Sequence, residues 1–130
     1  MKLGSGQPVL VVDNNDDALA VLGKELKELG HEPVTTWSGV EALRLLKSRR
    51  FGALLVDSYL PDMYIGDFLQ RVSGLPTIPK IWVMHARPAQ DVCAYGSLSF
   101  PVIGKNQVAR TLKQLATGID GEPSTQSPED

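Results

Sequence analysis

The chain lacks several things that would assign it to a class at once. Cys93 is its single cysteine, so no internal disulfide can form and a reducing cytoplasm is the simple expectation. No apolar run approaches the roughly 20 residues needed to span a bilayer, so no membrane role is expected. Met1-Lys2-Leu3-Gly4-Ser5-Gly6 has no apolar core of the signal-peptide kind. Net charge is small: -2, with a pI near 5.6, which argues against broad electrostatic attraction to nucleic acid. No internal repeat is visible. What remains is 130 residues with 42% hydrophobic and 22% charged side chains, enough to bury the core of one ordinary domain without staples.

The centre of the chain is Leu54-Leu55-Val56-Asp57-Ser58-Tyr59-Leu60-Pro61-Asp62-Met63. A short apolar run that stops at an acid and a proline turn suits a strand buried on both faces. Pro8 to Val12 is a second such strand and runs straight into Asp13. Ile81-Trp82-Val83-Met84 is a third, ending at His85, and Val102-Ile103 a short one ending near Lys105. His31 to Trp37 is a weaker strand, since Pro33 places it at a strand start or a sheet edge.

Helices fill the gaps. Asn14-Asn15-Asp16-Asp17 offers caps for a helix carrying Ala18, Leu19, Val21, Leu22, Leu26 and Leu29, with Gly30 as its stop. Ser38-Gly39-Val40-Glu41 matches a reciprocal capping box. Lys47, Ser48, Arg49 and Arg50 close that helix against its negative end and are read as a helix end, not a nucleic-acid patch. A third helix is expected over Gly66 to Val72, closed by Gly74. A last one follows Asn106, with Val108, Leu112 and Leu115 on one face. Between Arg87 and Phe100 the pattern is weak: Pro88 could open a short helix, and Gly96 interrupts it.

Five strands alternating with helices predict an α/β fold: one doubly wound, five-stranded parallel sheet with helices on both faces. Residues 1–7 read as a flexible lead, 8–118 as the domain and 119–130, rich in Pro, Ser and acids, as a disordered tail. The strand-ending residues Asp13, Asp57, His85 and Lys105 then gather on one rim, where open parallel sheets place ligands. Two close carboxylates repel unless a cation intervenes. Magnesium takes oxygen ligands and keeps its waters, a lysine completes a phosphoryl pocket, and an aspartate oxygen can itself be the nucleophile.

Val9-Leu10-Val11-Val12-Asp13, then Leu54-Leu55-Val56-Asp57 with Leu60-Pro61 and Met63, then Lys105 ahead of a terminal helix, together resemble the receiver domain of bacterial two-component response regulators over residues 8 to 117. The resemblance implies phosphotransfer to Asp57 from a histidine kinase or histidine phosphotransfer protein, and switching of an unnamed downstream partner. It implies Mg²⁺ held by Asp13, Asp57 and the Tyr59 backbone carbonyl, with Asn14 as a weak ligand through its side-chain carbonyl, and a lysine, Lys105, on the phosphoryl group. At most, such a domain catalyses its own phosphorylation and dephosphorylation.

Several positions depart from the family pattern. Asn14 stands where a second acid is usual, which weakens the metal site. His85 replaces the Ser or Thr after the fourth strand, and Val102 the switch aromatic. Tyr64-Ile65 stands for Asp-Gly, and Asn106 for proline. These changes favour, as an alternative, an atypical receiver that binds a protein without phosphorylation. His85 is read as a phosphoryl contact, a cover for the pocket or a plain strand end. An aspartyl-phosphate hydrolase of the haloacid dehalogenase type would want an acid where Tyr59 stands. The Asp-x-His-x-x-Gly signature of cobalamin modules is absent. Trp37, Trp82 and Met84 are expected to be packing residues, Cys93 inert, and His31 without a role.

Overall fold

The computed structural model describes residues 7–85, 92–95, 98–108, 110, 111 and 113. The proposed tail, all but Gln7 of the lead, Pro88, Leu112 and Leu115 lie outside them. In chain order the elements are β1 (Val9–Val12), α1 (Asp16–Glu28), β2 (Pro33–Thr36), α2 (Gly39–Ser48), β3 (Ala53–Asp57), α3 (Ile65–Ser73), β4 (Lys80–His85), β5 (Val92–Tyr95) and β6 (Leu98–Gly104). A 3₁₀ turn, Lys105–Gln107, follows β6, and the described positions from Val108 onward are helical.

The strands lie in the order β2-β1-β3-β4-β6-β5. The first five of these pair in parallel, as the alternating pattern requires. Each strand is an apolar run because both faces are covered. Alternate positions along each strand feed separate cores. Leu10, Val12, Leu54, Val56, Ile81 and Val83 face α2 and α3. Val9, Val11, Ala53, Leu55, Trp82 and Met84 face α1 and Val108. A one-residue slip of any central strand would exchange these two sets against differently shaped partners.

The sixth strand is an addition to the expected sheet. β5 pairs antiparallel with β6, Val92 with Pro101 and Tyr95 with Leu98, and so extends the edge. The stretch 92–95, into which a helix opened by Pro88 would run, is therefore strand. Val92 and Tyr95 favour extended backbone, and the two residues between the strands, Gly96 and Ser97, are of the kind that links a two-residue hairpin. β6 is correspondingly longer than the Val102-Ile103 core that the apolar pattern marks. The opposite edge is β2, which begins at Pro33, a position where a missing N–H costs little.

Candidate functional site

β1 runs to the right of β2 and to the left of β3 in the sheet, so the chain order reverses between β1 and β3. Ligands of open α/β sheets bind outside the carboxyl ends of the strands at such a reversal. Asp13 follows β1 directly and Asp57 is the last residue of β3, so both acids stand at the reversal. Lys105 arrives one strand beyond β4, on the first residue after β6.

The three side chains converge. The Lys105 ammonium stands 2.9 Å from Asp13 Oδ2 and 3.4 Å from Asp57 Oδ1. Asp13 is fully buried and Asp57 nearly so. Asp13 Oδ1 accepts the Asn15 N–H at 3.0 Å, which ties the acid to the start of α1. Its Oδ2 faces the Lys105 ammonium, which holds it by a charge-assisted contact. Burial, and then the Asp13 charge, push the Asp57 carboxyl above the usual aspartate range, against the pull of Lys105. Burial draws the Lys105 ammonium down, but the two carboxylates outweigh it and hold the lysine above its ordinary value.

This donor set suits a hard divalent cation. Two buried carboxylates that converge on one rim are what Mg²⁺ commonly takes from protein, with waters and phosphate completing the octahedron. Among the described residues no group of three or more His, Cys, Asp or Glu gathers, so a cation here would rely on Asp13, Asp57 and backbone oxygen. Asn14 is exposed beside Asp13, and Asn15, not Asn14, caps α1 by accepting the Ala18 N–H at 3.0 Å. The Tyr59 side chain is 64% exposed, in the loop that leaves Asp57. His85 ends β4 with an exposed side chain, in register with Gly104. Val102 is half-buried opposite Val83 and packs on the core that α2 and α3 cover.

Two sequence readings need correction around this rim. Trp82 and Met84 are buried as expected, but Trp37 is 57% exposed, because β2 is an edge strand and ends there. The Ser38 capping box is only half formed. The Ser38 hydroxyl accepts the Glu41 N–H at 3.0 Å, while the Glu41 carboxylate turns away to pair with Arg44. The remaining donors at the start of α2 go to Asp62, which sequence reasoning did not single out. Its carboxylate accepts the Ser38 hydroxyl at 2.8 Å, the Gly39 N–H at 2.9 Å and the Val40 N–H at 3.0 Å. No local pattern signals these bonds, since their partners are 22 to 24 residues apart in the chain.

No family model matches the chain. Individual proteins do. It is 32% identical over 93 residues to the two-component response regulator ORR21 of Oryza sativa subsp. indica, and 28% identical over 91 residues to a probable histidine kinase 1 of the same plant. These stretches cover 70% and 68% of the chain. Among solved structures, a CheY-like receiver domain from Methylobacillus flagellatus superposes with a TM-score of 0.70, covering 84% of this chain and 98% of that one at 21% identity. The response regulator TrrA from Thermotoga maritima, solved in complex with Mg²⁺ and BeF, matches with a TM-score of 0.58 and 26% identity over 62% of this chain and 70% of that one. The chain is a receiver domain of the response-regulator kind. It spans only 13% of the length of ORR21 and 9% of that of the kinase. No helix among the described residues of this receiver is long and apolar enough to cross a membrane.

Proposed function

We propose that this receiver, read as a domain over residues 8–118, accepts a phosphoryl group on Asp57 from a phosphohistidine of a kinase or phosphotransfer protein, and changes its affinity for a protein partner in response. The observation that carries the reading is the meeting of Lys105 with both Asp13 and Asp57, at 2.9 and 3.4 Å, at the reversal point of the sheet. An Asp57 carboxylate oxygen attacks phosphorus. The P–N bond breaks, its electron pair stays on the imidazole nitrogen, and an acyl phosphate forms. Lys105 offsets the charge that the phosphoryl oxygens bring to a buried site. Mg²⁺, held by Asp13, Asp57 and the Tyr59 carbonyl, would supply further neutralisation. Catalysis beyond this self-modification forms no part of the proposal. The setting proposed is the cytoplasm, where such kinases present their phosphohistidines.

The test is direct. With Mg²⁺ and phosphoramidate or acetyl phosphate, the intact mass gains one phosphate-sized adduct, and Asp57→Asn abolishes it. An unlabelled wild-type chain, under conditions that label an ordinary receiver, overturns the proposal. The exposed Asn14 and the His85 and Val102 replacements support a second reading, an atypical receiver that docks a partner without phosphorylation. Saturable Mg²⁺ binding at millimolar concentrations, lost in Asp57→Asn, counts against that alternative.

A further inference from the structure

Asp62 lies five positions beyond Asp57, yet it is bonded to the start of α2, more than 20 residues earlier in the chain. Its carboxylate collects the Ser38 hydroxyl and the Gly39 and Val40 amides, three donors of the first turn of α2. An anion at a helix amino end meets both unpaired N–H groups and the positive end of the helix dipole. The neighbouring residues reinforce the tie. Leu60 is buried at 4% exposure, and Met63 lies so close to Gly39 that a methyl group there would stand 2.8 Å from its Cγ and Sδ. The loop from Ser58 to Tyr64 is thus seated on α2 at three successive points, Leu60, Asp62 and Met63. Tyr59, whose carbonyl is the third proposed metal ligand, lies between Asp57 and the first of them. The tie also stands among large exposed apolar side chains, Val40 at 63%, Tyr59 at 64% and Tyr64 at 63%.

We infer that Asp62 is a positioning residue: it holds the loop that follows the phosphoacceptor against the amino end of α2, so that a change at Asp57 is transmitted to α2. The inference rests on the proposed metal and phosphoryl chemistry of Asp57. A loop anchored at both ends presents the Tyr59 carbonyl without ordering cost, which matters in a site whose neighbouring acid is replaced by Asn14. A charge or ligand that draws the loop toward the rim pulls on the Gly39 and Val40 bonds.

The test uses the full-length chain, ¹⁵N-labelled, titrated with Mg²⁺ and beryllofluoride. The amides of Ser58 and Tyr59 report the pocket, and those of Gly39 and Val40 report α2. In the wild type all four shift with one midpoint. In Asp62→Asn, which keeps the shape but loses the charge, the Gly39 and Val40 response falls by more than half. The midpoint at Ser58 rises about tenfold, the size of effect that supporting-shell changes have on metal affinity. Ser38→Ala, which removes one arm of the tie, shifts the midpoint the same way by less. Arg44→Ala breaks only an exposed pair on the same helix and leaves the midpoint within twofold, separating positioning from general helix stability. Pocket amides that shift while Gly39 and Val40 stay still in the wild type overturn the inference and leave the phosphoacceptor reading standing. So does an Asp62→Asn response equal to the wild type. Silence at all four amides overturns both.

Discussion

Replacing Asp57 with asparagine removes a buried charge that stands beside another of the same sign. Burial, then the Asp13 carboxylate, raise its pKa above the ordinary 3.8. A carboxyl raised in the folded state binds more protons there than in the unfolded chain, so stability falls as pH climbs from 3.8 through the raised value. Asp57→Asn is therefore expected to stabilise the chain at pH 7 by about 1 kcal/mol, or roughly 4 °C in Tm for a domain of this size, with the gain shrinking toward pH 4. Thermal melts of both proteins across that range check it, and equal melting temperatures throughout would refute it. Asp62 has the opposite sign. Burial raises it, but the Val40 and Gly39 amides and the Ser38 hydroxyl outweigh that and leave it below the ordinary value. Its contribution is complete above 3.8 and is lost as pH falls through the lowered value. Asp13 and Asp57 were legible in the sequence, because an acid that abruptly ends an apolar run has one place to go. Asp62 was not, because an acid in a polar turn looks the same whether it is solvated or bonded to a helix more than 20 residues away.

At the scale of the element, α1 shows how far local chemistry reaches. Its stop is a Schellman turn. The His31 N–H bonds the Leu26 carbonyl at 2.9 Å and the Gly30 N–H bonds the Lys27 carbonyl at 3.0 Å, with Gly30 at φ 90°. Only glycine takes that conformation without steric cost, so Gly30→Ala is expected to destabilise the fold by about 1 to 2 kcal/mol. Urea unfolding should show a lower midpoint with an unchanged m-value. The start of α2 marks the limit. Ser38 caps it as the sequence pattern predicts, but Glu41 leaves the box for Arg44, and a distant carboxylate takes over the first-turn donors. Position-dependent patterns capture bonds three or four residues apart. They say nothing of a competitor that the fold delivers.

Over the whole molecule, protection should follow the sheet order. β1, β3 and β4 are each paired on both sides and buried, whereas β5 is an edge paired only to β6. Hydrogen exchange should be slowest at Leu10, Val11, Leu54 and Leu55 and fastest, among strand amides, on the open side of Val92–Tyr95. Uniform protection across the sheet would contradict the edge assignment. By itself the sequence determined the five parallel strands, the two-sided cores and the rim that Asp13, Asp57 and Lys105 share, because alternation and apolar run length are set residue by residue. Tertiary structure alone decided the sixth strand, the exposure of Trp37 and the grip of Asp62 on α2. Each depends on which neighbour occupies the adjoining space: for Trp37 and Asp62 that is decided by segments far apart in the chain, and for the sixth strand by whether the short run 92–95 finds β6 to pair with.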